Sequence, residues 1–158
     1  VVFNTRGERI SNLTIEPTPS VFHDNTETPA GIVAQAGINP TATTGQNGEF
    51  FMLLDSGFFD FTLIPPAGSL WPRSQFVDRS IPQGSEPVDI QFPIPDPSLL
   101  KGRVVDQNGQ PVSGFDVKVY FVSDECEPGV TCNIPAFYVG DGQTTADGIF
   151  EVVVPNPH

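Results

Sequence analysis

Apolar residues along this chain fall at every second position in several stretches, and no window carries the 3.6-residue spacing of an amphipathic helix. Phe115, Val117, Val119 and Phe121 alternate with Asp116, Lys118 and Tyr120, the period of a half-buried strand with Lys118 turned to solvent. Residues 58–64 read as another strand, stopped by Pro65-Pro66, and Val88, Ile90 and Phe92 alternate with Asp89 and Gln91 as a closing one. Val1-Val2-Phe3 opens the chain as strand. The apolar runs at 51–54 and 152–154 suggest strands buried on both faces. Asn47-Gly48, Asn108-Gly109 and Asp147-Gly148 mark tight turns, because Gly and Asn tolerate the positive φ that such turns need. A loop is predicted around Leu70-Trp71-Pro72. Pro93, Pro95 and Pro97 read as a stiff, extended linker.

The same pattern occurs twice. Laid over the stretch from Val104 to Val117, the stretch from Val2 to Ile15 puts Gly7 on Gly109 and Ser11 on Ser113, with apolar residues meeting apolar ones. Thr43-Thr44-Gly45-Gln46-Asn47-Gly48-Glu49-Phe50 then matches Thr144-Thr145-Ala146-Asp147-Gly148-Ile149-Phe150 once one residue is deleted. The expected organisation is one repeat over residues 1–96 and a second over 97–158. The first runs on from Gly48 through two more strands to Pro97. The second has few residues after Gly148, so it lacks counterparts of the strands at Phe58 and Val88.

Gly102-Arg103-Val104-Val105-Asp106, Gly109-Gln110-Pro111-Val112-Ser113-Gly114 and Thr145-Ala146-Asp147-Gly148-Ile149-Phe150 together resemble the carboxypeptidase regulatory-like domain, a transthyretin-like, CnaB-like β-sandwich. The first repeat is a degenerate copy, with Arg9 in place of the Pro and Asn12 in place of the second Gly. The resemblance implies an all-β fold of two tandem Greek-key sandwiches, the second without its last strands. Such modules accompany catalytic or binding domains or form stalks of bacterial surface proteins, and the resemblance transfers no catalytic residue.

Composition sharpens this picture. Gly (15) and Pro (17) are abundant in 158 residues, which favours turns and extended chain over helix. The net charge is −12, and seven scattered Lys and Arg cannot build a phosphate-neutralising surface, so nucleic acid is not an expected partner. No apolar run approaches the length of a transmembrane span, and no initiator Met or signal segment is visible; the chain reads as a processed or excised piece of something longer.

Candidate chemistry is sparse. Cys126 and Cys132 flank Glu-Pro-Gly-Val-Thr, a segment able to turn back on itself, and read as a disulfide that pins a surface loop in an oxidising compartment; two inert reduced thiols are the bland alternative. A thiolate metal site would need further ligands, and the histidines are His23, in a polar loop beside Asp24, and His158 at the terminus. Neither forms the nucleophile–base–acid arrangement of covalent catalysis. Asp55 with Asp60, and Asp124 with Glu125 and Glu127, read as exposed loop charge. Asp106 and Asn108, with Asp141 in another turn, present oxygen ligands that suit calcium, although no complete calcium loop is present; no other cofactor is expected. Repeat one has no Lys, and Lys118 faces outward, so an isopeptide cross-link is not expected. Trp71, Phe137 and Tyr138 are aromatic candidates for sugar stacking, or else lids on a sandwich.

The leading expectation is therefore a non-catalytic spacer in an extracellular or cell-surface protein, its partners being other chains or the rest of its own. One alternative is a carbohydrate- or ligand-binding module. Another is the subunit of a filament, self-assembled by strand addition at an open edge around Phe150, Val152, Val153 and Val154.

Overall fold

The computed structural model describes residues 1–20, 40–84, 86–122 and 136–156. These residues are all β: β1 (Val2–Asn4), β2 (Thr14–Pro19), β3 (Ala42–Thr43), β4 (Gly57–Ile64), β5 (Ser74–Ile81), β6 (Phe92–Ile94), β7 (Pro97–Arg103), β8 (Asp116–Phe121), β9 (Phe137–Gln143) and β10 (Ile149–Pro155), with no helix among the described residues. The chain divides into two compact units, Val1–Ser69 with Ser74–Asp96, and Leu70–Arg73 with Pro97–His158.

In unit 1 the strands β3-β2-β4-β5 form an antiparallel sheet, and β1 pairs in parallel with β6. The Phe92 ring of β6 joins the two, lying 5.1 Å from the Phe61 ring of β4 and 4.9 Å from the Phe76 ring of β5. Val2, Leu13, Ile15, Phe61, Leu63, Phe92 and Ile94 are fully buried around that contact. Burying a side chain of this size stabilises by roughly 1.5–3 kcal/mol, which makes Phe61 and Phe92 the hub of the unit. Pro17 and Pro19 sit within β2 because β3 reaches only Thr14 and Ile15, so no described strand calls on their N–H groups on that side.

Unit 2 holds two antiparallel pairs, β7 with β10 and β8 with β9. Strand β9 crosses closely over β10. A Cβ added at Gly140 would stand 2.8 Å from Val152 Cγ1, and one at Gly142 would stand 3.0 Å from the Glu151 carbonyl oxygen. Among the described residues of this unit only Val139 and Val152 are buried apolar side chains.

The repeat is written in the backbone hydrogen bonds. Val2 N–H donates to the Gly48 carbonyl and Val104 N–H to the Gly148 carbonyl, both at 2.8 Å. The Asn12 and Gly114 amides donate to the Thr44 and Thr144 carbonyls, both at 2.9 Å. Isolated bridges Phe3 to Arg9 and Val105 to Pro111 close the same turn twice. Gly48 (φ +68°) and Gly148 (φ +73°) occupy equivalent positions where a Cβ would lie 2.4 Å and 2.5 Å from a backbone carbonyl. In the second block Thr44 matches Thr144 directly, so the deletion expected from the sequence is absent. Likewise β2–β3 corresponds to β8–β9, since Thr14 pairs with Thr43 as Asp116 pairs with Gln143.

Several expectations need correction. Residues 51–54 are not a doubly buried strand: Phe51 and Leu53 are each 79% exposed, and no strand pairs with them among the described residues. The closing strand begins only at Phe92, because the parallel neighbour β1 engages there: Val1 C=O accepts the Phe92 amide at 2.9 Å. Pro93 therefore belongs to a sheet and Pro97 opens β7, so neither is free linker. Strand β5, not among the strands expected from sequence, pairs along β4. Phe115 and Phe121, expected to face a core, are about half exposed at 53% and 48%.

Candidate functional site

The calcium candidates separate on inspection. Asp106 Oδ1 accepts the amides of Asn108 and Gln110, each at 2.8 Å, and these two bonds hold its carboxyl below the usual carboxylate range. Asn4 does the same in unit 1, its Oδ1 accepting Arg6 N–H at 3.0 Å and Glu8 N–H at 2.8 Å. A neutral amide serves there as well as a carboxylate, so the position shapes a turn and requires no charge. Asp141 stands opposite Lys118 in β9 and accepts the Tyr138 hydroxyl. Among the described residues no three His, Cys, Asp or Glu side chains gather as metal ligands would.

The aromatic candidates lie in unit 2. Phe137 pairs with Phe121 and Tyr138 with Tyr120 across β8 and β9, the two tyrosine rings 5.7 Å apart. Arg73 lies 4.9 Å over the Tyr138 ring. Desolvation, then the bond to Asp141, pushes the Tyr138 hydroxyl up to about 12. Trp71 is half-buried, neither a bare platform nor a core residue. In unit 1 an open groove of about 320 Å³ runs between residues 78–80 and 88–91. Asp78, which lines it, is held by a buried carboxylate that was expected as exposed loop charge. Asp60, 4% exposed, accepts the Asp78 amide at 2.9 Å where β4 slips register against β5, and Asp78 takes φ +58°. Asp55 is exposed.

The strand expected to carry an open edge is paired along one of its sides. Phe150, Val152, Val153 and Val154 all lie in β10, which pairs along its whole length with β7, from Ile149 opposite Arg103 to Pro155 opposite Pro97. Among the described residues each strand of unit 2 pairs on one side only, β8 included. Its equivalent β2 is flanked by β3 on one side and β4 on the other, whereas β8 has β9 on one side and no described strand on the other. The side chains follow suit: Leu13 and Ile15 are fully buried, while their counterparts Phe115 and Val117 are exposed and half-buried.

Cys126, Cys132, His23, His158, Asp24, Asp124, Glu125 and Glu127 lie outside the described residues. No helix among the described residues is long and apolar enough to cross a membrane. No family model, curated protein or solved structure matches the chain.

Proposed function

We propose that this chain is a structural spacer: two tandem transthyretin-like β-sandwich repeats, the second short of its last strands, in a secreted or cell-surface protein. The observation that carries the reading is the duplicated framework. The same turn, the same buried threonine and the same close-approach glycine recur in both units. The polar residues that drew attention in sequence are spent on that framework: Asp106 on its turn, and Asp60 on a bulge between strands. Asp60 is buried, and a buried polar group engaged in this way contributes to stability and geometry and is not free for chemistry. An acidic surface with a net charge of −12 suits an exported protein that must remain soluble.

Two measurements test the reading together. Pulled from its ends in a single-molecule experiment, the chain should lengthen in two separate steps, one for each repeat. Purified chain incubated with chromogenic esters, glycosides, peptides and disulfides should release no product above buffer. Turnover that follows the chain through successive purification steps overturns the proposal.

A further inference from the structure

The chain has two tyrosines, Tyr120 and Tyr138, and the fold brings their rings together across β8 and β9. From Asp116 opposite Gln143 to Val119 opposite Gly140 the two strands run in even register. Continued evenly, the ladder would set Tyr120 opposite Val139. The register instead shifts between Val119 and Tyr120, so that Tyr120 stands opposite Tyr138 and Phe121 opposite Phe137. A bulge of this kind re-aims side chains. Val139, the residue passed over, is buried, and the two tyrosine rings meet at 5.7 Å with their planes inclined by 53°. One residue of slip carries a side chain to the opposite face of a sheet, so without the bulge the rings would not meet.

The surroundings favour one-electron chemistry at these rings. Tyr120 is 52% exposed, so an oxidant in solution reaches it. The Tyr138 hydroxyl donates to Asp141 Oδ1, a carboxylate placed to take the proton as an electron leaves the ring. Arg73, 4.9 Å over the same ring, holds it in position. A tyrosyl radical on one ring has its coupling partner already in contact, and such proximity turns a bimolecular step into a unimolecular one.

We propose that Tyr120 and Tyr138 form a site of oxidative modification, a dityrosine cross-link that ties β8 to β9. The oxidant is hydrogen peroxide used by a haem peroxidase. Each ring gives up one electron and its hydroxyl proton, and a carbon–carbon bond forms between the carbons ortho to the two oxygens. The ring hydrogens at the new bond return to the oxygens as protons by way of solvent. The peroxide takes up the two electrons and two protons and leaves as two molecules of water. This goes beyond the spacer reading and does not depend on it, since the geometry belongs to the two strands whatever the chain does.

The test uses the intact chain, kept dilute and treated with a haem peroxidase and hydrogen peroxide. The expected product is a monomer that has lost the mass of two hydrogens and gained dityrosine fluorescence. Cleavage after Glu125, which lies between the two tyrosines, should leave the fragments that carry Tyr120 and Tyr138 joined. Tyr120→Phe and Tyr138→Phe should each reduce the monomeric product to under about a tenth, because neither leaves a second phenol within reach of the first. Raising the chain concentration should not lower the monomer's share of the product. The proposal is overturned if dityrosine appears only in dimers and larger species, or if the monomer gains oxygen without losing hydrogen. It is also overturned if either Phe variant still yields the cross-linked monomer.

Discussion

Thr44 offers the sharpest test of the shared framework. It is 2% exposed, and its Oγ1 accepts the Leu13 amide at 2.9 Å in a fully buried setting. Its backbone simultaneously donates to the Leu13 carbonyl and accepts from Asn12, each at 2.9 Å. Thr44→Val keeps the shape and removes the acceptor, leaving a buried N–H that water cannot reach; the expected loss is about 1–3 kcal/mol. Thr144 makes the equivalent bond to the Phe115 amide at 2.8 Å and also donates to the Val112 carbonyl at 2.7 Å. Phe115 is 53% exposed, so water can replace the lost acceptor, and Thr144→Val should cost only about 1 kcal/mol despite breaking two bonds. Urea unfolding followed through the methyl resonances of Leu63 in unit 1 and Val152 in unit 2 reads the two effects separately. Thr44→Ser, which retains the oxygen, should recover most of the loss. A Thr144→Val cost equal to or above that of Thr44→Val would refute the argument that burial of the orphaned amide sets the penalty.

Gly7 and Gly48 both have positive φ, but a Cβ at Gly7 meets nothing within 4 Å while one at Gly48 would stand 2.4 Å from the Val2 carbonyl oxygen. Gly7→Ala should therefore cost about 1–2 kcal/mol from the left-handed backbone alone, and Gly48→Ala clearly more, as thermal melts would show. Asp106 has its carboxyl lowered by the Gln110 and Asn108 amides, so its contribution to stability is present above the unfolded-state value and is lost as pH falls through the depressed folded value. Asp106→Asn, which copies Asn4, should leave neutral-pH stability nearly unchanged and flatten that acid dependence; a melting temperature that falls just as steeply with acid would count against the assignment.

What was legible in the sequence was local. Turn glycines at 7, 48, 109 and 148, the repeat they mark and the strand at residues 58–64 follow from short-range φ requirements and from alternation. The rest depends on contacts distant along the chain. The start of β6 is fixed by parallel pairing of Val2 with Phe92, which no periodicity within residues 88–94 can report. Strand β5 was missed because only Ser74 of its eight residues is buried, so its alternation is faint. The carboxylate of Asp60 looked like loop charge because its acceptor role exists only once β4 slips against β5. The edge was assigned to β10 because the gap after Gly148 was read as exposing the last strand present. In the fold β10 pairs along one side with β7, and β8 likewise with β9.

Residues 49–55 carry a further consequence, for handling the protein. Phe50, Phe51, Met52, Leu53 and Leu54 form an uninterrupted, uncharged apolar run with two side chains 79% exposed and no proline within it. That is the composition of a segment that stacks into cross-β aggregates. Glu49 and Asp55 bracket it as gatekeepers, and their charge is what opposes stacking between molecules. Removing those charges, as in a Glu49→Gln, Asp55→Asn chain, should therefore make the protein aggregate at lower concentration.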